Sequence, residues 1–420
     1  MPVPSRSWFW SNLSLWLYIF VFKVGAVLYL ASLPVLGERV LPLWIVGLLI
    51  GGASFVQLIG DVPAGFLLDR FGYTRLLRLA CICLSLGGFL LWIFGFSLWV
   101  FLVLIVISGF GWLFFSPGVD AYVVTSAPPA EVGRAMGARR VMSSLGAVAG
   151  TACFTLLLPF SPRTIGLVIA CILVLALLIA FRVKKERTRA HAEVAFEAKH
   201  YYIRRKQVKD IWKSLSKLRP ASGLLAFSRF AAGAFYASMW FVFPLFLKTL
   251  TSHGPLDYGL GIFDAGTIIC GGLAGKLADT RNKTFTILIG LVIFASFSMI
   301  LGFHLNIWFL LFGFLASLGD ELSAVSLWAW LNDLHRDHAH EGVIAGAVNF
   351  FEDLGWVVGP ILAGFLYSRI GASWTILCAA SFIFLNCVLS CLVLRKKVYS
   401  IIRHSFETPS TKPNFYAHRD

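Results

Sequence analysis

The chain has 420 residues, of which 58% are hydrophobic and 14% charged, and its mean hydropathy is +0.80. That composition excludes a water-soluble globular enzyme. A membrane-crossing helix uses about 20 apolar residues, so twelve would use about 240, which matches the apolar share. The net charge of +15 would suggest nucleic acid in a soluble protein, but here it reports topology, and no nucleic-acid partner is expected.

Apolar runs bounded by polar, Gly or Pro residues predict spans near residues 11–33, 41–68, 76–95, 98–127, 137–160 and 164–181. Six more follow near 221–247, 256–278, 284–303, 307–331, 343–369 and 373–394. Helix is the element expected throughout, because a lipid-exposed backbone must satisfy its own hydrogen bonds and these runs are too apolar for barrel strands. Arg6 followed by a long apolar run without a cleavage site reads as a retained first span rather than a removable signal.

The segment Arg182 to Arg219 carries 13 basic and four acidic residues, so it cannot span and reads as a cytoplasmic linker. The expected organisation is a first six-helix bundle over 1–181, the linker over 182–220, a second bundle over 221–394 and a tail over 395–420. Within the linker, Ile203, Val208, Ile211, Trp212, Leu215 and Leu218 suit an amphipathic helix on anionic lipid, and a solvated linker that only sets orientation fits equally well. With the N-terminus inside, the inner regions hold 30 Lys and Arg, the outer loops hold four (Arg39, Arg163, Lys248, Arg369), and Lys23 and Arg229 lie within spans. This asymmetry places both termini in the cytoplasm.

The two halves repeat. Gly133, Gly137, Gly146 and Gly150 recur 209 residues later as Gly342, Gly346, Gly355 and Gly359, and Gly65 and Asp69 recur 210 residues later as Gly275 and Asp279. Related halves are a recurrent plan of secondary transporters.

After the second span the chain reads Gly65-Phe-Leu-Leu-Asp69-Arg70-Phe-Gly72-Tyr-Thr-Arg75. This resembles the Gly-x-x-x-Asp-Arg-x-Gly-x-x-Arg signature of the major facilitator superfamily, and the resemblance extends over the whole chain. The second copy, from Gly275 through Asp279 and Arg281 to Lys283, is weaker, since Thr280 and Asn282 stand where Arg70 and Gly72 do. The resemblance implies an all-α membrane fold of twelve helices in two pseudo-symmetric six-helix bundles. It also implies a cytoplasmic latch of Asp69, Arg70, Arg75 and Arg134, seated by Gly65 and Gly72 and echoed by Asp279 and Arg281, that favours the outward-open state. Members that exchange drugs for protons commonly carry an Arg in the fourth span and Gly-Pro in the fifth. Here the fourth span has no Arg and Gly150 is followed by Thr151, so those motifs do not support drug efflux.

A charged side chain at the bilayer centre costs about 2.5 to 3.5 kcal/mol, so each calls for a partner, water or a ligand. Charged residues in the spans are Lys23 in span one, Asp61 in two, Asp120 in four, Arg139 and Arg140 at the start of five, Arg229 in seven, Asp264 in eight, Asp320 and Glu321 in ten, and Glu352 and Asp353 in eleven; Lys23, Asp320 and Glu321 are near mid-span, and Asp61, Asp120 and Arg139 are close to the cytoplasmic face. Spans three, six, nine and twelve have none in their interiors, and the resemblance makes those four the outer supports. Asn349, Glu352, Asp353 and Trp356 follow i, i+3, i+4, i+7 spacing and form one polar stripe. Lys23, Arg229, Asp320, Glu321, Glu352 and Asp353, joined by Asp264 and Asn349, are the expected substrate and proton-coupling residues. The acids suit proton loading and release, the bases suit an anionic solute group or neutralisation of the acids, and internal bracing of helices is the competing role. Trp16, Tyr236, Trp240, Trp328 and Trp356 lie near the same levels, where pocket walls and lipid-facing packing are both open to them.

The eight cysteines lie in apolar runs and are expected to pack as small hydrophobes. The run His335-Arg-Asp-His338-Ala-His340-Glu341 lacks a fixed framework for a metal, and no phosphate loop, nucleophile elbow or zinc motif is present. The expectation is a monomeric multi-pass protein of the plasma or bacterial inner membrane that is not an enzyme and holds no cofactor. It would move a small solute with protons by symport or antiport; an uncoupled facilitator and a non-transporting receptor or scaffold are the alternatives.

Overall fold

The structure, a computed structural model, describes residues 10–127, 132–184, 220–249, 259–280, 283–334 and 341–407. Most of the basic linker, Arg281, Asn282, the loop 335–340 and the end of the tail fall outside those residues. Its elements are the helices α1 (Leu13–Gly37), α2 (Leu43–Phe71), α3 (Tyr73–Phe94), α4 (Leu98–Ser126), α5 (Val132–Leu157) and α6 (Pro162–Arg182). After the linker come α7 (Pro220–Thr249), α8 (Ile262–Thr280), α9 (Lys283–Phe303), α10 (Trp308–Leu334) and α11 (Glu341–Glu407). Among the described residues, ten helices are long and apolar enough to cross a membrane.

Local chemistry sets the helix ends. Ser97 caps α4 by accepting from the Val100 amide at 3.4 Å, and Ser161 caps α6 by accepting from the Thr164 amide at 3.2 Å, with Pro162 in the first turn where its missing N–H costs nothing. Gly72 separates α2 from α3 with φ of 79°, a conformation that L side chains rarely adopt. That backbone requirement gives the glycine of the signature a structural reason. Gly371, with φ of 75°, breaks α11 into two arms, 341–370 and 372–407. The second arm continues past the predicted end at 394, and α5 begins before the predicted 137, because the polar run Arg134 to Arg140 is helical despite its charge.

Helix α1 is the most enclosed of the first six, with Leu15, Tyr18, Ile19, Phe22, Ala26 and Leu28 all fully buried. Its tyrosines tie it to its neighbours through backbone carbonyls, Tyr18 donating to Leu77 of α3 at 3.0 Å and Tyr29 to Leu104 of α4 at 2.7 Å. Opposite the core, Trp92, Phe94, Trp99, Leu178, Phe181, Phe303 and Trp374 stand exposed. An apolar surface of that extent is stable only in contact with lipid.

The internal repeat reappears in the packing. Gly146 and Gly150 bring α5 onto the backbone of Phe20 and Val24 in α1, and Gly355 and Gly359 bring α11 onto that of Phe230 and Ala234 in α7. Any Cβ at these four glycines would overlap the facing carbonyls, so the close approach requires glycine. Helices α1–α6 meet α7–α11 chiefly through α2 with α11, α5 with α8 and α1 with α7. Several of these contacts lie at one end. Gly47 and Gly51 of α2 touch the carbonyls of Pro360 and Val357, Gly364 touches that of Leu43, and Gly261 touches Val148 of α5. At the same end Lys248 pairs with Glu38 at 2.6 Å.

Candidate functional site

Most of the described charges in the interior fall into four groups. Arg229 of α7 lies beside Glu352 of α11, with Nε donating to Oε2 at 3.0 Å, and its Nη1 is 4.0 Å from Asp320 of α10. Tyr236 donates its hydroxyl to the other Asp320 oxygen at 2.9 Å. Arg229, Gly233 and Tyr236 share one face of α7 because they are four and three residues apart. Gly233 seats against the Glu352 carbonyl, so the glycine that allows α7 and α11 to touch also brings the guanidinium to the carboxylate. This group lies wholly within α7–α11.

A second group joins the two sets of helices. Arg140 of α5 reaches Glu321 of α10 at 3.2 Å, and the other Glu321 oxygen accepts from Thr267 of α8 at 3.2 Å. The Glu321 side chain is 10% exposed and that of Arg140 is 39% exposed.

A third pair stays within α1–α6, where Arg139 of α5 meets Asp120 of α4 at 2.6 Å. The fourth group surrounds Lys23. Its ammonium lies 4.4 Å from the Trp112 ring centre and 5.7 Å from that of Phe115, which in turn stacks on Phe22 at 4.0 Å. Asp264, at the start of α8, lies toward Lys23 and faces Ser144 of α5.

The single constellation expected from the sequence is therefore spread over several sites. Arg229, Asp320 and Glu352 come together; Glu321 turns to Arg140 instead, and Lys23 rests on aromatic rings with Asp264 beyond. Asp353 is half-buried next to Glu352 on α11. The side chains of Asp61, Gly65, Asp69, Arg70, Asp279 and Asn349 are outside the described set, as is Arg281 altogether. Of the remaining latch residues, Gly72 forms the turn after α2, and Arg75 and Arg134 are exposed.

Sequence reasoning left Arg139, Arg140 and Asp120 out of the site and gave Thr267 and Trp112 no role. Arg140 was within reach: it stands 209 residues before Asn349, a member of the polar stripe. Thr267 carried a weaker signal, lying one turn after Asp264 on the same face of α8. Among the described residues no group of His, Cys, Asp and Glu is arranged to hold a metal ion.

The sequence profile described as Major Facilitator Superfamily matches residues 15–360, and a second match covers residues 225–415. Among curated proteins, multidrug resistance protein 2 of Bacillus subtilis (strain 168) is 24% identical over 332 residues, which cover 76% of this chain and 79% of the relative. With charged groups meeting inside a set of apolar helices and a profile match over most of its length, the chain belongs to the Major Facilitator Superfamily and is an integral, multi-pass membrane transporter.

Proposed function

We propose that the protein is a secondary transporter that moves a small solute by alternating access, with twelve spans in two six-helix bundles joined by the linker 182–220. The α11 arms before and after Gly371 supply spans eleven and twelve. The observation that carries this reading is the Arg140–Glu321 ion pair, which bridges the two sets of helices in the interior rather than bracing one of them. A bridge of that kind has to break whenever the halves part. The glycine contacts and the Glu38–Lys248 pair gather at the end that the charge asymmetry assigns to the outside, so we read the conformation as closed outward. The latch around Asp69, Arg70, Arg75 and Arg134, at the opposite end, would then hold the alternate conformation.

Within the site, Arg229 is held between Asp320 and Glu352, which leaves these acids free to exchange a proton only when water enters. Glu321 and Asp264 face the opposite bundle, and we assign them to the coupling step together with Asp320, Glu352 and Asp353. The relative's name refers to multidrug resistance. Drug-like solutes therefore belong among the substrates to test, although α4 carries Asp120 and no Arg, and Gly150 is followed by Thr151.

The test is uptake by purified protein in proteoliposomes across a broad solute panel, with and without an imposed pH gradient. Uptake that follows the gradient supports a proton-coupled carrier. Flux indifferent to the gradient assigns an uncoupled facilitator, and no flux for any solute assigns a receptor or scaffold.

A further inference from the structure

We infer that the solute carries a cationic group and that this group takes the place of Arg140 at Glu321. The inference rests on the transporter reading for its consequence, while the binding site is argued from geometry alone. Glu321 and Arg140 are unequal partners. The carboxylate is 10% exposed and anchored on both oxygens, by Arg140 at 3.2 Å and by Thr267 at 3.2 Å; the guanidinium is 39% exposed.

The other interior bases are committed elsewhere. Arg139 is on Asp120, Arg229 lies between Glu352 and Asp320, and Lys23 rests over Trp112. Arg140 is thus the base that can leave, because it is the most open to water of these three arginines, at 39% against 18% for Arg139 and 11% for Arg229, and an arginine released into water keeps its hydration.

An incoming anion would have to take Arg140 from Glu321 and leave a nearly buried carboxylate with only the Thr267 hydroxyl, a costly arrangement. An incoming cation leaves no such deficit, since Glu321 exchanges one positive partner for another. The charge balance points the same way. In the helices that carry the four groups (α1, α4, α5, α7, α8, α10 and α11), the described acids that are not exposed are Asp120, Asp264, Asp320, Glu321, Glu352 and Asp353, against the bases Lys23, Arg139, Arg140 and Arg229, so acids outnumber bases by six to four. The exchange also explains how binding acts on the fold: when the solute holds Glu321, the bridge between α5 and α10 is released and the halves are free to part.

The experiment uses the full chain purified in detergent and two organic monocations of different size, benzyltrimethylammonium and tetraphenylphosphonium, with phenylacetate as the anionic probe. Binding is read by equilibrium dialysis. At least one cation is expected to bind, phenylacetate is not, and Glu321→Gln is expected to weaken the cation by about tenfold or more. Arg140→Gln removes the competitor and is expected to tighten the cation severalfold, a sign that a merely structural role would not give. Should Glu321→Gln fail to fold, Arg140→Gln and Thr267→Val carry the test, the latter with a loss of a fewfold. Failure of both cations to bind, or weaker cation binding in Arg140→Gln, or phenylacetate binding that depends on Arg140, overturns the proposal. Cation binding at Glu321 without flux in proteoliposomes would instead sink the transporter reading and leave the site standing. Solute flux unaffected by Glu321→Gln would do the reverse.

Discussion

Asp320 and Glu321 are consecutive in α10, yet they bind bases from opposite halves of the chain. Asp320 faces Arg229 and Tyr236 of α7, and Glu321 faces Arg140 of α5. Successive helical residues point about 100° apart, so two adjacent acids serve one contact inside α7–α11 and one across to α1–α6. The first is a brace and the second a bridge.

The brace should matter most for stability. Arg229→Gln leaves Glu352 and Asp320 facing each other with no base between them, and the expected loss is about 3 kcal/mol or more, the cost of breaking a buried pair from one side. Thermal unfolding in detergent checks this. Glu352→Gln, which leaves Arg229 with Asp320, should lose less.

Amide replacement at the acids separates bracing from coupling. Asp320→Asn, Glu352→Gln and Asp353→Asn are each expected to abolish uptake driven by a pH gradient while the protein still purifies as a folded species. Full gradient-driven uptake in all three would remove these residues from the coupling step.

Tyr236→Phe deletes the hydroxyl that meets Asp320 at 2.9 Å and leaves the ring packing in place. A lost hydrogen bond to a buried charged group is worth about 1.5 to 3 kcal/mol, which should appear as a lower melting temperature. An unchanged melting temperature would mean that Asp320 finds its second partner elsewhere.

The glycine contacts make a graded prediction. Gly355→Ala forces a Cβ onto the Phe230 carbonyl and the Ala234 amide of α7, with an expected cost of about 1 to 3 kcal/mol. Gly52→Ala meets nothing within 4 Å and should be neutral or slightly stabilising, since alanine favours helix over glycine by about 1 kcal/mol. Equal effects at the two positions would count against close helix contact at Gly355.

At the outer end, Gly47→Leu places a bulky side chain against the Pro360 carbonyl and Gly364, which should wedge α2 away from α11. Spin labels at Val40 and Thr249, both exposed there, should report a longer and broader distance in the wedged protein. Glu38→Gln alone should change stability by less than about 1 kcal/mol, as expected of an exposed pair.

The sequence by itself determined the membrane class, the helices and their approximate limits, the internal repeat and the set of interior charges. It could do so because water and lipid impose one-dimensional rules: apolar runs of spanning length, and charges that are rare and therefore conspicuous. Gly146, Gly150, Gly355 and Gly359 were legible for the same reason, since a glycine spaced for helix contact leaves a periodic mark. Pairing was not legible. Which acid meets which base depends on helix rotation and on the side from which the neighbour approaches, and neither leaves a periodic signal in one chain. Glu321 was therefore placed with its sequence neighbour Asp320, and only the tertiary structure turned it to Arg140, 181 residues away. Thr267 and Trp112 are ordinary residues in apolar helices, and they acquire roles only when packing brings Glu321 and Lys23 against them.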